Sequence, residues 1–109
     1  LTDMAAVARH RGPDDHGLCL FGFGSGKPIW TPQAAAAMPA GLQGGLAFNR
    51  LSILDLSPNG HQPMISASNR TILAFNGEIY NAFDLRPELE AAGVRFRSRT
   101  DSEVILYLY

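Results

Sequence analysis

Hydrophobic residues in this chain form short runs that are separated by turn residues. The runs at 18–23, 44–55, 71–75 and 94–98 are apolar or alternate with polar residues, and they predict four strands, of which 71–75 is expected to be buried and 94–98 exposed. In the second run the side chains alternate with a period of two from Arg50, so this strand is expected to continue to Asp55. Residues 61–65 predict a short edge segment, because Pro63 has no N–H to donate to a neighbouring strand.

Helices are predicted at 4–9, 84–92 and 100–106. A Gly-Pro pair at 12–13 ends the first. In the second, Asp84 as N-cap places Pro87 in the first turn, where proline is tolerated, and Gly93 follows the last residue. Thr100 and Glu103 have the spacing of a capping box, in which two side chains cap the start of the third helix.

The order of these elements favours an α+β fold, because a helix is followed by several closely spaced strands and then by helices. The sheets are expected to be mostly antiparallel. Residues 24–28, 57–60 and 66–69 predict turns, and 30–43 predict a loop. The 109 residues fit one domain, and the absence of an initial Met and the apolar run at 105–109 give both ends the appearance of cuts within a longer protein.

Composition narrows the function classes. Hydrophobic residues make up 46% of the chain and charged residues 17%, as in globular rather than disordered proteins. The net charge of −1 provides no basic field for nucleic acid or for a membrane surface, and no apolar run approaches the roughly 20 residues of a membrane span. No signal peptide is expected from residues 1–4, and the single cysteine, Cys19, excludes an intrachain disulfide framework, so a cytoplasmic location is expected.

Three candidate sites are rejected. Residues 21–28 fail as a phosphate-binding loop, because Phe21 stands where the motif needs glycine and Pro28 follows the lysine. The His and Asp residues at 10, 14, 15 and 16 could ligate a metal, but solvated polar surface is the favoured interpretation, and no metal is expected. Cys19 lies in the middle of a predicted strand, where cysteine usually behaves as a small buried hydrophobe.

Two other features are compatible with chemistry on a free amino acid. Asn76 and Gly77 follow a predicted strand, and the Asn side chain with the Gly backbone N–H could hold a developing oxyanion, although a hairpin turn is the commoner meaning of this pair. Arg50 could bind an α-carboxylate through two hydrogen bonds, and Asp101 could balance an α-ammonium. Taken singly, an Arg and an Asp are more often surface charges.

Five segments, in this order and spacing, resemble one family: 9–14 (RHRGPD), 50–55 (RLSILD), 60–64 (GHQPM), 75–81 (FNGEIYN) and 100–105 (TDSEVI). They are similar to the glutaminase domain of glutamine-hydrolysing asparagine synthetase, a class II glutamine amidotransferase with the N-terminal-nucleophile hydrolase fold. The resemblance covers nearly the whole chain. It implies that residues 1–109 are part of a four-layer αββα sandwich, without the N-terminal strand that carries the nucleophile and without the C-terminal part.

The resemblance also implies roles for individual residues. Arg50 would hold the α-carboxylate of glutamine and Asp101 its α-ammonium, while Asn76 and Gly77 would form the oxyanion hole. Glu78 would be a further glutamine contact, and the loop at 11–14 would border the pocket. The residues expected to line the pocket after Arg50 are Leu51, Ser52, Ile53 and Leu54.

The family's nucleophile is an N-terminal cysteine whose own amine acts as base, and Cys19 is internal, so this segment is expected to be inactive by itself. The parent enzyme would hydrolyse glutamine and transfer ammonia to aspartate. ATP and Mg²⁺ would be used in a C-terminal synthetase domain, with no cofactor in the present one. Glutamine and that domain are the expected partners, and a homodimer is a further one to test. The alternatives are an amidotransferase with a sugar or polysaccharide acceptor and a non-catalytic amino-acid-binding module.

Overall fold

The structure is a computed structural model that describes residues 1–22, 29–31 and 41–109, with only the backbone of 29–31. The predicted turn at 24–28 and residues 32–40 of the predicted loop lie outside the described residues. The strands and α-helices, in chain order, are α1 (Thr2–Val7), β1 (Asp15–Phe21), β2 (Ile29–Thr31), β3 (Gly44–Arg50), β4 (Met64–Ile65), β5 (Ile72–Leu73), α2 (Ala82–Ala91) and α3 (Ile105–Leu108). Three single-turn 3₁₀ helices occupy Arg9–Arg11, Pro58–Gly60 and Ser102–Val104.

A three-stranded antiparallel sheet in the order β2-β1-β3 forms one part of the fold. The register places Asp15 opposite Arg50 and Cys19 opposite Leu46. The apolar centre of β1 is buried, with Cys19 fully inaccessible, as the sequence predicts. The loop predicted at 30–43 is wrong at 30–31, because these two residues belong to β2, which pairs with β1. Three residues are too few to show an alternating pattern.

The strand predicted to reach Asp55 ends at Arg50 instead. The Arg50 guanidinium donates hydrogen bonds to the backbone carbonyls of Asp55 and Ser57, the second at 3.4 Å, and so folds residues 51–57 back around itself. Asp55 has a positive φ of 52°, a conformation outside the range of strands. Gly60 allows the close approach, since a Cβ there would overlap the guanidinium.

The second sheet pairs β4 with β5 antiparallel, with Met64 opposite Leu73. β5 is half-buried and shorter than the predicted strand at 71–75, because the next backbone groups bond elsewhere. The amide N–H of Phe75 donates to the side-chain oxygen of Gln62 at 2.7 Å, and the Gln62 NH₂ donates to the Phe75 carbonyl at 3.2 Å. A side chain therefore continues the ladder where the strand stops.

Helix α2 begins at Ala82, two residues before the predicted N-cap. Asn81 takes the N-cap position, so Pro87 lies inside the helix rather than in its first turn. The predicted end is confirmed: Gly93 has a φ of 95°, its N–H donates to the carbonyl of Glu90 at 2.9 Å, and the N–H of Val94 donates to that of Leu89 at 3.0 Å. These are the two hydrogen bonds of a Schellman motif.

The strand predicted at 94–98 and the capping box at 100–103 are both wrong, and Glu103 explains why. Its carboxylate is 3% exposed and accepts hydrogen bonds from the backbone N–H groups of Arg97 (2.9 Å) and Ser98 (2.8 Å) and from the Ser98 hydroxyl (2.6 Å). The Glu103 side chain thus binds the backbone of residues 97–98, and it does not form a capping box with Thr100. Asp101, not Thr100, is the N-cap residue of the 3₁₀ turn that leads into α3.

The fold class is α+β, with every strand pair in the described residues antiparallel. α1 contacts β3, α3 contacts β5, and α2 contacts the 3₁₀ turn before α3, so each helix lies near an element that carries part of the cavity described below. No helix in the described ranges has the length and apolarity to cross a membrane.

Candidate functional site

A cavity of about 1010 Å³ lies where four separate stretches of the chain meet. Its lining comes from α1, from the end of β3 with the loop after it, from residues 75–80 and from residues 100–102. Eight of the nine residues named from the sequence line it; they are Arg50, Leu51, Ile53, Leu54, Asn76, Gly77, Glu78 and Asp101. The chain therefore brings together residues that are up to 51 positions apart.

Ser52 is the exception, since it is half-buried and does not line the cavity. Its backbone N–H donates to the carboxylate of Asp14 at 2.7 Å, and the N–H of Asp14 donates to the carbonyl of Arg50 at 3.1 Å. A Cβ at Gly12 would overlap the backbone of Asn49, so glycine is needed for this approach. The loop at 11–14 thus packs on the end of β3, and Arg11 reaches the cavity.

Arg50 is 7% exposed, and its guanidinium stands at the start of the cavity wall formed by Leu51, Ile53 and Leu54. Two of the five guanidinium N–H donors are used on the carbonyls of Asp55 and Ser57. Leu51 and Ile53 are 57% and 71% exposed. Such exposure of large apolar side chains at a cavity is typical of a binding surface.

Asn76, Gly77 and Glu78 form the exposed turn that follows β5, at the cavity surface. Gln62 fixes the residue before this turn through its two hydrogen bonds to Phe75. Gly77 does not have a positive φ; glycine is favoured there because a Cβ would lie 2.7 Å from the Phe75 ring. The backbone of the turn is consequently open to a ligand.

Asp101 is 8% exposed, and one of its carboxylate oxygens accepts a hydrogen bond from the backbone N–H of Ile79 at 2.6 Å. The other oxygen has no hydrogen-bond partner among the described residues. The Arg86 guanidinium stabilises the backbone next to Asp101, because it donates hydrogen bonds to the carbonyl of Ser98 and, at 2.9 Å, to the carbonyl of Thr100. The Asp101 carboxylate therefore joins residues 100–102 of the cavity wall to the segment that carries the Asn-Gly turn.

The remaining reactive groups lie elsewhere. Cys19 is absent from the cavity lining, and burial raises the pKa of its thiol, which disfavours the nucleophilic thiolate. Asp15 contacts Nδ1 of His61 at 2.8 Å, which joins β1 to the segment before Gln62. In the part of the chain that the structure describes, no group of three His, Cys, Asp or Glu side chains could hold a metal ion.

Asp55 and Gln62 were not singled out from the sequence, yet both hold parts of the cavity wall. Each belongs to a segment that carries the family resemblance, 50–55 and 60–64, and this membership is the signal by which they could have been found. Their hydrogen-bond partners, Arg99 and Phe75, are too distant in sequence for a local pattern to reveal.

A family model described as a glutamine amidotransferase domain matches residues 32–109, most of the chain. The chain belongs to this family. The matched range includes all nine residues named from the sequence.

Relatives of this amidotransferase domain carry the name glutamine-hydrolysing asparagine synthetase. One from Bacillus subtilis is 48% identical over 65 residues, which are 60% of this chain and 10% of that protein. A putative one from Methanocaldococcus jannaschii is 33% identical over an alignment of 123 positions, which covers 100% of this chain and 20% of that protein. A putative one from Mycobacterium bovis is 40% identical over 108 residues, which cover 94% of this chain and 14% of that protein. The chain thus spans a fifth or less of each relative. No solved structure matches it.

Proposed function

We propose that the cavity binds free glutamine and is the substrate site of a glutaminase, the half of an asparagine-synthetase-like enzyme that releases ammonia. The observation that supports this most is the meeting of a guanidinium, a carboxylate and an Asn-Gly turn at one cavity. These groups complement the α-carboxylate, the α-ammonium and the side-chain amide of glutamine.

In this proposal each group has spare bonding capacity for the ligand. Arg50 has three N–H donors beyond the two used on the loop, enough for a two-bond contact with a carboxylate. Asp101 offers its second oxygen to the ammonium. The side-chain amide of glutamine then lies beside Asn76 and Gly77, whose N–H donors would stabilise the oxyanion, and Glu78 is a further contact.

Hydrolysis would proceed by attack of a thiolate on the amide carbon, followed by cleavage of the C–N bond with release of ammonia and reaction of the thioester with water to give glutamate. We infer that these 109 residues bind glutamine without hydrolysing it, because their single thiol is buried in β1 away from the cavity. The nucleophilic cysteine must then be supplied from outside them.

The first prediction concerns binding. Arg50→Lys keeps the positive charge but removes the planar fork, so we expect the Kd for L-glutamine to rise at least tenfold, since a charge-assisted hydrogen bond contributes roughly 1.5–3 kcal/mol. An NMR titration with L-glutamine measures this. Arg70→Lys is the matched control, because Arg70 is exposed and absent from the lining. Equal affinity of the two variants, with wild-type circular dichroism, would contradict the proposal.

The second prediction concerns catalysis in a full-length enzyme that carries this segment and a cysteine nucleophile. Asn76→Ala removes one oxyanion donor, so we expect kcat for ammonia release to fall by roughly 10²–10³ while KM changes little. Asn59→Ala, at an exposed position of the 3₁₀ turn Pro58–Gly60 outside the cavity lining, is the control. A rise in KM with unchanged kcat would assign Asn76 to ground-state binding instead.

The names of the relatives favour aspartate as the ammonia acceptor. We propose that this transfer uses ATP and Mg²⁺ in a separate synthetase domain, in the cytoplasm. Incubation of the full-length protein with glutamine, ATP, Mg²⁺ and aspartate should yield asparagine. Formation of glutamate without asparagine would point to the alternative acceptors, a sugar or a polysaccharide precursor.

A further inference from the structure

Asp55 connects two walls of the cavity that no other side chain connects by hydrogen bonds in the described ranges. Its backbone carbonyl accepts a hydrogen bond from the Arg50 guanidinium. One carboxylate oxygen accepts from the backbone N–H of Arg99 at 2.7 Å, two residues before Asp101, and the other accepts from the N–H of Ser57 at 2.9 Å. Asp55 itself is not part of the cavity lining.

The hydrogen bonds of Asp55 and Asp101 together link three segments of the cavity wall. Arg50 is joined through Asp55 to the segment that carries Asp101, and Asp101 is joined through Ile79 to the Asn-Gly turn. The two charged groups lie 51 positions apart in the chain, so backbone continuity does not set their separation. The hydrogen bond from Arg99 to Asp55 links the two segments directly.

We propose that Asp55 is a positioning residue that fixes the spacing between the Arg50 guanidinium and the Asp101 carboxylate, and thereby selects ligands with both an α-carboxylate and an α-ammonium. This inference rests on the proposed glutamine site. A ligand with both charged ends gains from a fixed spacing, because the second contact forms without further ordering of the site. A ligand with one charged end gains nothing from it.

The charge on Asp55 is compatible with this role. Hydrogen bonds from the Arg99 backbone and from Ser57, with a smaller contribution from the nearby Arg50 charge, lower the pKa of the carboxyl from 3.8 to about 2. The carboxylate is therefore ionised at neutral pH, and its hydrogen bonds to backbone N–H groups have the strength of charge-assisted ones.

The test removes the side chain without straining the backbone. Asp55→Gly keeps the backbone carbonyl that Arg50 uses, and glycine adopts a φ of 52° at no steric cost. NMR titrations compare L-glutamine with 4-carbamoylbutanoate, which lacks the α-ammonium, and 4-aminobutanamide, which lacks the α-carboxylate. We expect the preference for glutamine over either analogue to fall about tenfold, within the range of coupling between residues of one network.

The control is Asp14→Ala. It also removes a carboxylate–backbone hydrogen bond to the loop after β3, but that bond reaches Ser52 and not the segment of Asp101. We expect the preference for glutamine to be unchanged in this variant. If Asp55→Gly lacks the wild-type circular dichroism spectrum, Asp55→Asn replaces it, since asparagine also tolerates positive φ and retains one acceptor oxygen.

The outcomes separate the two proposals. If the wild-type chain does not bind glutamine, the proposed function fails, and the role of Asp55 fails with it. If the wild type binds but Asp55→Gly weakens all three ligands equally, Asp55 has only a general structural role and this inference alone is overturned. A selective loss for glutamine supports it.

Discussion

Single side chains, rather than strands, hold much of the backbone around the cavity. The Gln62 side chain forms hydrogen bonds with both the N–H and the carbonyl of Phe75, and the Asp55 carboxylate accepts hydrogen bonds from the N–H groups of Ser57 and Arg99. An intramolecular hydrogen bond contributes about 0.5–1.5 kcal/mol net, so these side chains stabilise segments that lie outside any sheet. The bonds of Asp55 also make its two contacts depend on the charge of one carboxylate.

At the scale of single residues, the Asp55 carboxyl predicts a pH dependence of stability. Its pKa is lower in the folded chain, about 2, than the usual 3.8 of an unfolded one, so protonation favours unfolding. The carboxylate therefore contributes stability above about pH 4, and this contribution is lost as the pH falls toward about 2. We expect the free energy of unfolding of Asp55→Asn to lie below that of wild type near pH 7, and the difference to be much smaller near pH 2.5, where the unfolded chain is protonated and the folded pKa of about 2 is being approached.

Urea unfolding at the two pH values measures the difference. Glu88→Gln is the control, because Glu88 is exposed, lies beyond the first turn of α2 and accepts no side-chain hydrogen bond among the described residues, so its difference from wild type should stay near zero. A gap for Asp55→Asn that is equally large at both pH values would contradict the assignment of its hydrogen bonds.

At the scale of elements, the ends of helices and strands decide which residues reach the cavity. β3 ends at Arg50, so the next residues form a cavity wall instead of alternating across a sheet. α2 carries Phe83 at the cavity and Arg86 against the segment of Asp101, and it ends in the Schellman motif at Gly93. The position of α2 is therefore tied to the geometry of the site.

The prediction for α2 uses its C-terminal glycine. Gly93→Ala forces a Cβ into a φ of 95°, and we expect a loss of roughly 1 kcal/mol or more in the free energy of unfolding. Gly93→Asn should cost less, because asparagine visits positive φ more readily. Urea titration measures both variants. Open space surrounds the position, so steric overlap with neighbouring residues cannot cause the loss, and an equal loss in the two variants would contradict its assignment to the positive φ.

Local patterns were sufficient for the α+β class, for residues 18–21 of β1 but not for its start at Asp15, for the turn at 57–60 and for the glycine that ends α2. They failed wherever a distant side chain takes over the hydrogen bonds of the backbone, as Arg50 does beyond β3 and Glu103 does at 97–98. Residue chemistry alone singled out Arg50, Asn76, Gly77 and Asp101, but only the family resemblance placed them in one pocket with the other residues, since periodicity carries no information on which segments meet. Ser52 shows the limit of a contiguous motif, because its neighbours face the cavity and it does not.

At the scale of the whole molecule, the cavity exists only when the complete chain is folded. Its walls come from the first helix, the middle of the chain and residues 100–102. A ligand that binds there binds the native state and not the unfolded chain, so it stabilises the fold by mass action. We expect L-glutamine at about 100 times its Kd to raise the free energy of unfolding by about 2.7 kcal/mol.

Thermal unfolding at a series of glutamine concentrations measures this effect as a rising Tm. D-glutamine is the matched control, since the inverted α-carbon exchanges the positions of the two charged ends. A Tm that rises equally with both enantiomers would indicate nonspecific binding.

In the proposed function the Arg50 guanidinium has two roles: it would bind the ligand, and it donates hydrogen bonds to the backbone carbonyls of Asp55 and Ser57. A descendant that abandoned amidotransfer would still need this arginine to keep the loop in place, so selection for folding alone would preserve it. The arginine is accordingly a poor marker of surviving activity in related genes. Asn76, whose exposed side chain supports no other part of the described fold, should be the first to drift once selection for catalysis is relaxed.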